Sequence, residues 1–298
     1  MINLGKTLSK DFVKFNNECP SPYHAVSEAS TRLRTAGFTE LQETENWIGK
    51  LSNGGKYFTT RGGSSLVAWT CGQSLNVDTT YFKIVGTHTD SPCVRLAPQS
   101  HLLKEDFHMA YIQTYGGGLW HTWLDRDLIV AGRVLVKDGQ GNLSHRLYRS
   151  KSSIAKIADV CIHLRTESKT VTVNAETHLR AIWATSTFDD ASESTLDQKS
   201  VSHYRLFWED VANQIGCKVD DILDFDLCFA DSQPSEIIGL NEEIISAPRL
   251  DNLFSTWSAV TAITKLDLAN DAAINVAALF DHEEIGSETI TGADSRKL

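Results

Sequence analysis

An apolar run near the carboxyl end of the chain constrains the fold more than any other stretch of the sequence. Residues Ala273-Ile274-Asn275-Val276-Ala277-Ala278-Leu279-Phe280 are apolar almost without interruption. A strand with one face in water alternates apolar and polar residues, whereas a strand covered on both faces is apolar throughout. The run therefore predicts a strand inside a sheet that has protein on both sides, as in the α/β class of folds.

Apolar residues at helical spacing occur towards both ends of the chain and agree with this class. They predict two amphipathic helices before Gly37, with a break at Pro20-Ser21-Pro22. They also predict a helix after Pro248, where Asp251 or Asn252 is placed to cap the first turn.

Short β-type runs follow the two N-terminal helices. Residues 56–60 and 65–69 are separated by Arg61-Gly62-Gly63, which is typical of a hairpin with a glycine turn. A third run, 81–85, leads directly into Gly86-Thr87-His88-Thr89-Asp90. We therefore expect a mixed sheet flanked by helices.

The middle of the chain is rich in short β-type segments, such as 128–136 and 158–164. Because helical spacing lies on either side of it, this region predicts an inserted, mostly β domain. The predicted organisation is a first part of the α/β domain at 1–97, the inserted domain at 98–245, and a second part of the α/β domain at 246–298.

Charge and cysteine content exclude several classes of function. The formal net charge of -10 would repel nucleic acids and anionic membranes, and no basic patch interrupts it. The first residues lack the order of a signal peptide, and no apolar run approaches the ~20 residues of a membrane span. Six cysteines show no CxxC spacing, so neither a disulfide framework nor a thiolate zinc site is indicated. We expect a soluble, cytoplasmic protein with reduced thiols.

Three polar clusters, far apart in the sequence, are placed to meet. His88 and the pair Glu283-Glu284 each follow an apolar strand candidate, and Asp251 opens a predicted helix. In open α/β sheets, ligand-binding groups collect at the carboxyl ends of the strands. The sequence therefore predicts that these residues share one edge of the sheet.

The residue types in these clusters are those of a metal-dependent hydrolase. His88 could bind a metal while Asp90 accepts the other ring proton and orients the imidazole. Of two adjacent glutamates, one can bind metal while its neighbour accepts a proton from an activated water. Each cluster also has an ordinary interpretation: a surface turn at His88, a helix cap at Asp251, and a solvated acidic turn at Glu283-Glu284.

Six motifs together resemble the aspartyl aminopeptidase family of co-catalytic zinc exopeptidases, whose relatives include the vacuolar aminopeptidase of yeasts. They occur in the family's order and span essentially the whole chain. The motifs are Ser21-Pro22-Tyr23-His24-Ala25-Val26, Val85-Gly86-Thr87-His88-Thr89-Asp90-Ser91-Pro92-Cys93, Tyr115-Gly116-Gly117-Gly118-Leu119-Trp120, Trp123-Leu124-Asp125-Arg126-Asp127-Leu128, Ser246-Ala247-Pro248-Arg249-Leu250-Asp251-Asn252-Leu253 and Asp281-His282-Glu283-Glu284-Ile285-Gly286-Ser287.

The resemblance implies a role for each candidate site residue. It implies that His88 binds one of two zinc ions, Glu284 binds the other, and Asp251 bridges both. It implies that Glu283 is the general base, and that Asp90 supports His88.

The resemblance also implies an assembly and a substrate. The inserted region would be a dimerisation domain, and His163 would reach into the neighbouring subunit's site to help hold the substrate carbonyl. Further assembly into a homo-dodecamer and a vacuolar location in some relatives are implied as well. The implied substrates are peptides with N-terminal Asp or Glu.

The resemblance further implies that family members continue beyond Leu298. That further part would carry an aspartate ligand, a histidine ligand and the remaining strands of the catalytic sheet. One hypothesis for this chain is therefore a zinc metalloaminopeptidase, and the alternative is a truncated, inactive remnant or an assembly subunit. A third, a different co-catalytic zinc hydrolase such as a carboxypeptidase, fits the paired glutamates but not the motifs of the inserted region.

Overall fold

A computed structural model describes residues 2–76, 78–164, 172–188 and 202–295. Its helices are α1 (Ile2–Glu18), α2 (Pro22–Thr35), α3 (Arg205–Ile215) and α4 (Leu250–Thr264). Its strands are β1 (Thr39–Glu40), β2 (Lys56–Arg61), β3 (Ser65–Cys71), β4 (Tyr81–His88), β5 (Cys93–Lys104), β6 (Phe107–Tyr115), β7 (Asp127–Lys137), β8 (Leu143–Arg149), β9 (Ala155–Lys156), β10 (Ala181–Thr185), β11 (Ile222–Asp231), β12 (Glu236–Ile238), β13 (Ile244–Ser246) and β14 (Ala273–Phe280).

The chain divides into two compact units. Unit 1 combines Met1–Ser91 with Pro234–Leu298, and unit 2 is the continuous segment Pro92–Gln233. Both limits of unit 2 lie earlier in the chain than the limits predicted from the sequence for the inserted domain.

Unit 1 contains a five-stranded mixed sheet in the order β1-β2-β3-β14-β4. The apolar run forms β14, which is antiparallel to β3 and parallel to β4. Leu279 packs on one face of the sheet in a cluster with helix residues such as Val260, and Ala278 packs on the opposite face in a cluster with Trp69. The prediction of a strand covered on both faces is confirmed, and with it the α/β class. Fully burying one side chain the size of Leu279 contributes ~2 to 3 kcal/mol.

Strand β4 forms one edge of this sheet. Four of its apolar side chains are exposed: Tyr81, Phe82, Ile84 and Val85. Exposure decreases towards the end of the strand, where Thr87 is half-buried and the last residue, His88, is buried.

The two N-terminal helices and the predicted hairpin are also confirmed. Ser21 caps α2, since its hydroxyl accepts a hydrogen bond from the backbone N–H of His24, and Pro22 occupies the first helical position. Phe12 and Phe15 of α1 pack with Trp257 of α4. Strands β2 and β3 pair in antiparallel register around the glycine turn.

Unit 2 is built on a closed sheet. Its strands follow the order β11-β5-β6-β10-β9-β7-β8, and a further pairing of β11 with β7 closes the ring. The core beneath it includes Val94, Val130 and Phe229, against which α3 packs Phe207 and Val211.

The predicted β-type segment at 158–164 is wrong, because the structure has a short 3-10 turn at Ile162–Leu164 and no strand there. Val160, Ile162 and Leu164 gave this segment its β-type pattern, but all three side chains are exposed. Branched side chains favour a strand only where the strand has a surface to pack against.

Among the described residues, no helix is long and apolar enough to cross a bilayer.

Candidate active site

The edge of the sheet at the carboxyl ends of β4 and β14 gathers most of the polar residues singled out in the sequence. The two strands are parallel, and their last residues, His88 and Phe280, are register partners. The residues that follow each strand therefore emerge side by side. The backbone N–H of Thr89 donates to the carbonyl of Phe280 at 2.8 Å, which ties the two segments together.

His88 lies at the centre of this site. Its Nε2 atom is 3.1 Å from Asp251 Oδ1 and 3.8 Å from Glu283 Oε2. Its Nδ1 atom faces Asp90, at 3.3 Å from Oδ1 and 3.2 Å from the backbone carbonyl oxygen. The backbone is anchored by Thr256, whose hydroxyl donates to the His88 carbonyl at 2.7 Å.

The surrounding carboxylates decide the electrostatics of His88. Burial alone would lower the pKa of His88, but the hydrogen bond to Asp90 and the negative charges of Asp90, Glu283 and Asp251 raise it overall. An imidazole held among carboxylates in this way presents Nε2 to whatever cation the same carboxylates attract.

Asp90 does more in the structure than the sequence indicated. Its side chain is buried, and its two oxygens accept the backbone N–H groups of Glu283 at 3.3 Å and Glu284 at 3.1 Å. One carboxylate thus faces the His88 ring and also fixes the turn that carries the paired glutamates.

The paired glutamates occupy a 3-10 turn, Glu283–Ile285, and differ in environment. The Glu283 side chain is 53% exposed. Glu284 is less exposed, and burial raises its pKa; His88 opposes that shift, while Asp251, Asp90 and Glu283 add to it. The two side chains therefore differ in their exposure to solvent, as expected if one is a base and the other a metal ligand.

The predicted helix cap at Asp251 is wrong. No side-chain cap is formed at the start of α4: Arg249, in a left-handed conformation with φ 58°, precedes the helix, and Asp251 has non-helical angles. The Asp251–Asn252 peptide bond is cis. The Asp251 carbonyl accepts a hydrogen bond from Ser91 Oγ at 2.8 Å, while its side chain turns to His88 and remains 78% exposed.

Sequence reasoning assigned no role to Asp281 and His282. Asp281 is buried at the end of β14; burial raises its pKa, and its Oδ1 accepts the His282 backbone N–H at 2.8 Å. His282 Nδ1 lies 2.7 Å from Thr289 Oγ1 and 3.1 Å from Thr291 Oγ1. The two threonines lie seven and nine residues after His282, which is no recognised motif. The sequence therefore held no signal for these hydrogen bonds.

The donor atoms at this edge fit a zinc ion. Ligand atoms of His88, Glu283 and Glu284 all lie within 4.8 Å of one another, and Asp251 Oδ1 adjoins His88. Imidazole nitrogen and carboxylate oxygen are donors that Zn²⁺ takes in catalytic sites.

The predicted partner-facing residue His163 belongs to unit 2, where it is exposed in the 3-10 turn.

A mixed sheet with imidazole and carboxylate groups at the carboxyl ends of its strands is an arrangement typical of metal-dependent hydrolases of the α/β class. Residues 15–298 match the family described as aminopeptidase I zinc metalloprotease (M18). The chain belongs to this family of zinc aminopeptidases, as the sequence motifs predicted.

Relatives of known sequence and structure agree. An aspartyl aminopeptidase of Caenorhabditis elegans is 38% identical over 96% of the chain and 63% of its own length. A Chaetomium thermophilum mApe1 structure superimposes with TM-score 0.91 and 32% identity, over 98% of this chain and 66% of that one. The structure of an S. cerevisiae mApe1 dodecamer superimposes with TM-score 0.82 and 26% identity, over 96% of this chain and 63% of that one. The chain therefore spans less than two thirds of these relatives.

Proposed function

We propose that this chain carries zinc-binding and proton-transfer groups of a metalloaminopeptidase that removes N-terminal residues, Asp or Glu, from peptides. The observation that carries the proposal is the convergence of His88, Asp251, Glu283 and Glu284 at one edge of the sheet. The acidic specificity is supported by the name of the C. elegans relative.

His88 Nε2, Asp251 and Glu284 would hold the metal, with Asp251 shared between two zinc ions. Asp251 is suited to this, because its side chain is largely exposed while its backbone is held by Ser91. When bound, zinc supplies a Lewis acid that polarises the scissile carbonyl and lowers the pKa of water.

Glu283 is the proposed general base. Its carboxylate is solvent-accessible, and its backbone is fixed by Asp90. It takes a proton from the attacking water and passes it to the amine that leaves when the peptide bond breaks. Asp90 contributes by accepting the Nδ1–H of His88, which leaves Nε2 free of a proton and available as a ligand.

Unit 2 is proposed to mediate dimerisation, with His163 reaching the site of a neighbouring copy to help hold the substrate carbonyl. Support comes from the turn itself, where Ile162 and Leu164 expose apolar side chains on either side of His163. Exposed apolar side chains of this kind commonly mark protein–protein contacts. A higher assembly is supported by the dodecamer described for the S. cerevisiae relative.

The proposal is tested by measuring release of Asp from a peptide with N-terminal Asp, with purified chain and added zinc. Glu283→Gln keeps the size of the side chain and removes the base, so turnover should fall at least ~100-fold. Glu288→Gln, an exposed glutamate just beyond the turn, is the matched control and should keep wild-type turnover. Equal turnover in wild type and Glu283→Gln would refute the assignment.

Metal content gives a second measurement that does not depend on turnover. Dialysed wild-type protein should retain zinc, and His88→Ala should lose most of it, because the remaining donors are carboxylates that suit harder cations. Retention of wild-type zinc by His88→Ala would show that the metal binds elsewhere.

A further inference from the structure

Two cysteines of unit 2 face each other across a pair of strands. In the antiparallel pairing of β11 with β5, Cys228 is the register partner of Arg95. Side chains two residues apart in a strand share a face, so Cys93 stands diagonally opposite Cys228 on that face. Their side chains are hydrogen-bonded to each other. The two thiols are therefore neighbours on one face of the sheet.

A fixed positive charge adjoins both sulfur atoms. The Arg95 guanidinium interacts electrostatically with Cys93 and Cys228, and it is held by Asp226 at 3.2 Å and by the Tyr115 ring, 3.9 Å from its centroid. The hydrogen bond between the thiols and burial both raise the pKa of Cys93, while Arg95 opposes the rise. Cys93 therefore rests as a protonated thiol, and the cation stabilises its thiolate once one forms.

The surroundings of the pair differ from those of an inert buried thiol. Cys19, for example, packs among Phe12, Phe15 and Trp257, where burial raises the pKa of its thiol. Such a thiol acts as a small apolar side chain. Cys93, by contrast, has a second thiol and a guanidinium beside it and is partly exposed, although protein surrounds its sulfur.

The position of the pair gives a bond between the two residues a large effect. Cys93 is the second residue of unit 2, and Cys228 lies in β11, close to the last residue of unit 2, Gln233. A covalent link would close nearly all of unit 2 into one loop. Closing a long loop stabilises a protein mainly by reducing the entropy of its unfolded chain.

We propose that Cys93 and Cys228 form a reversible disulfide, and that this cross-strand pair is a redox modification site of unit 2. With hydrogen peroxide as oxidant, the Cys93 sulfur attacks one peroxide oxygen, breaks the O–O bond and becomes a sulfenic acid as the first water leaves. The Cys228 sulfur then attacks the sulfenic sulfur, forms the S–S bond and releases the second water. Two thiols are oxidised, one peroxide is reduced to two waters, and a dithiol reductant reverses the change.

The test is peptide mapping of the full chain after treatment with peroxide, followed by alkylation under denaturing conditions. We expect a linked peptide pair containing Cys93 and Cys228, lost on treatment with dithiothreitol and retained in the control Cys217→Ser, a partly exposed cysteine of the same unit. In Cys228→Ser, Cys93 should instead give a sulfenic acid that a dimedone probe captures. Full alkylation of both cysteines after peroxide, or a link from Cys93 to a different cysteine, would overturn the proposal.

Two further readouts separate this pair from general oxidation. Formation of the linked peptides should accelerate roughly tenfold per pH unit between pH 7 and 9, because the thiolate is the reacting species. The oxidised wild type should unfold about 10 °C above the reduced protein, and this difference should vanish in Cys228→Ser. An unchanged unfolding temperature on oxidation would contradict the position assigned to the bond.

Discussion

Replacing Asp90 by alanine should release the turn that carries the paired glutamates. The change removes a buried carboxylate that accepts the backbone N–H groups of Glu283 and Glu284 and faces the His88 ring. A hydrogen bond to a charged group contributes ~1.5 to 3 kcal/mol. Relief of the repulsion between Asp90 and the buried Asp281, and access of water to the partly exposed turn, offset part of this loss. We therefore expect a net cost of about 2 kcal/mol, concentrated in the turn.

Amide hydrogen exchange measures this cost locally. A loss of about 2 kcal/mol corresponds to roughly 30-fold faster exchange in a peptide covering residues 281–288, measured with a chelator present so that metal binding does not contribute. Strand β3 should exchange as in the wild type, and the exposed control Glu288→Ala should leave both regions unchanged. Asp90→Asn, which keeps one acceptor oxygen, should give an exchange rate for this peptide between those of the wild type and Asp90→Ala. Exchange in Asp90→Ala within threefold of wild type would refute the claim that Asp90 holds the turn.

Three further perturbations test the fold away from the site. Burial alone would raise the pKa of Asp11, but hydrogen bonds from Arg32 and Trp257 lower it overall. The stability that Asp11 contributes is therefore present above the pKa of the unfolded state, and it is lost as pH falls through the pKa of the folded state. Since this side chain is 40% exposed, Asp11→Asn should cost only ~1 kcal/mol at pH 7, and urea titrations at pH 7 and pH 3 should show that difference shrinking in acid; a constant difference would contradict the pairing. Phe58→Ala, in the core of unit 1, should lower unfolding free energy by ~3 to 5 kcal/mol, and a loss under 1 kcal/mol would show that the core does not depend on it. Gly132→Ala places a Cβ 2.0 Å from a backbone oxygen of β11, so circular dichroism should show a loss of β structure or a clear fall in melting temperature, whereas an unchanged melting curve would rule out that close approach.

Features set by neighbouring residues were predictable from the sequence. The continuous apolar pattern of β14 and the glycine turn between β2 and β3 specify their elements through local spacing alone. His88 and the paired glutamates were placed correctly at one edge, because parallel strands bring their carboxyl ends together.

Features that depend on distant contacts were not predictable. Asp251 has the local signature of a helix cap, but its side chain turns towards His88, which belongs to a different part of the chain. The second function of Asp90 depends on the turn after β14, and nothing near Asp90 in the sequence indicates it. The segment 158–164 failed for the opposite reason, since its β-type side chains found no surface to pack on.

The pairing of β4 with β14 has a consequence for the order of events during synthesis. Thr256, which anchors His88, lies 168 residues further along the chain, and all of unit 2 is translated between them. Strand β4 therefore emerges from the ribosome with its exposed apolar side chains long before β14 exists to pair with it. Domains fold as units during synthesis, and contacts between distant residues form slowly. Unit 2 can be complete while the first part of unit 1 is still unfolded, and β4 stays without its partner strand until β14 has been made.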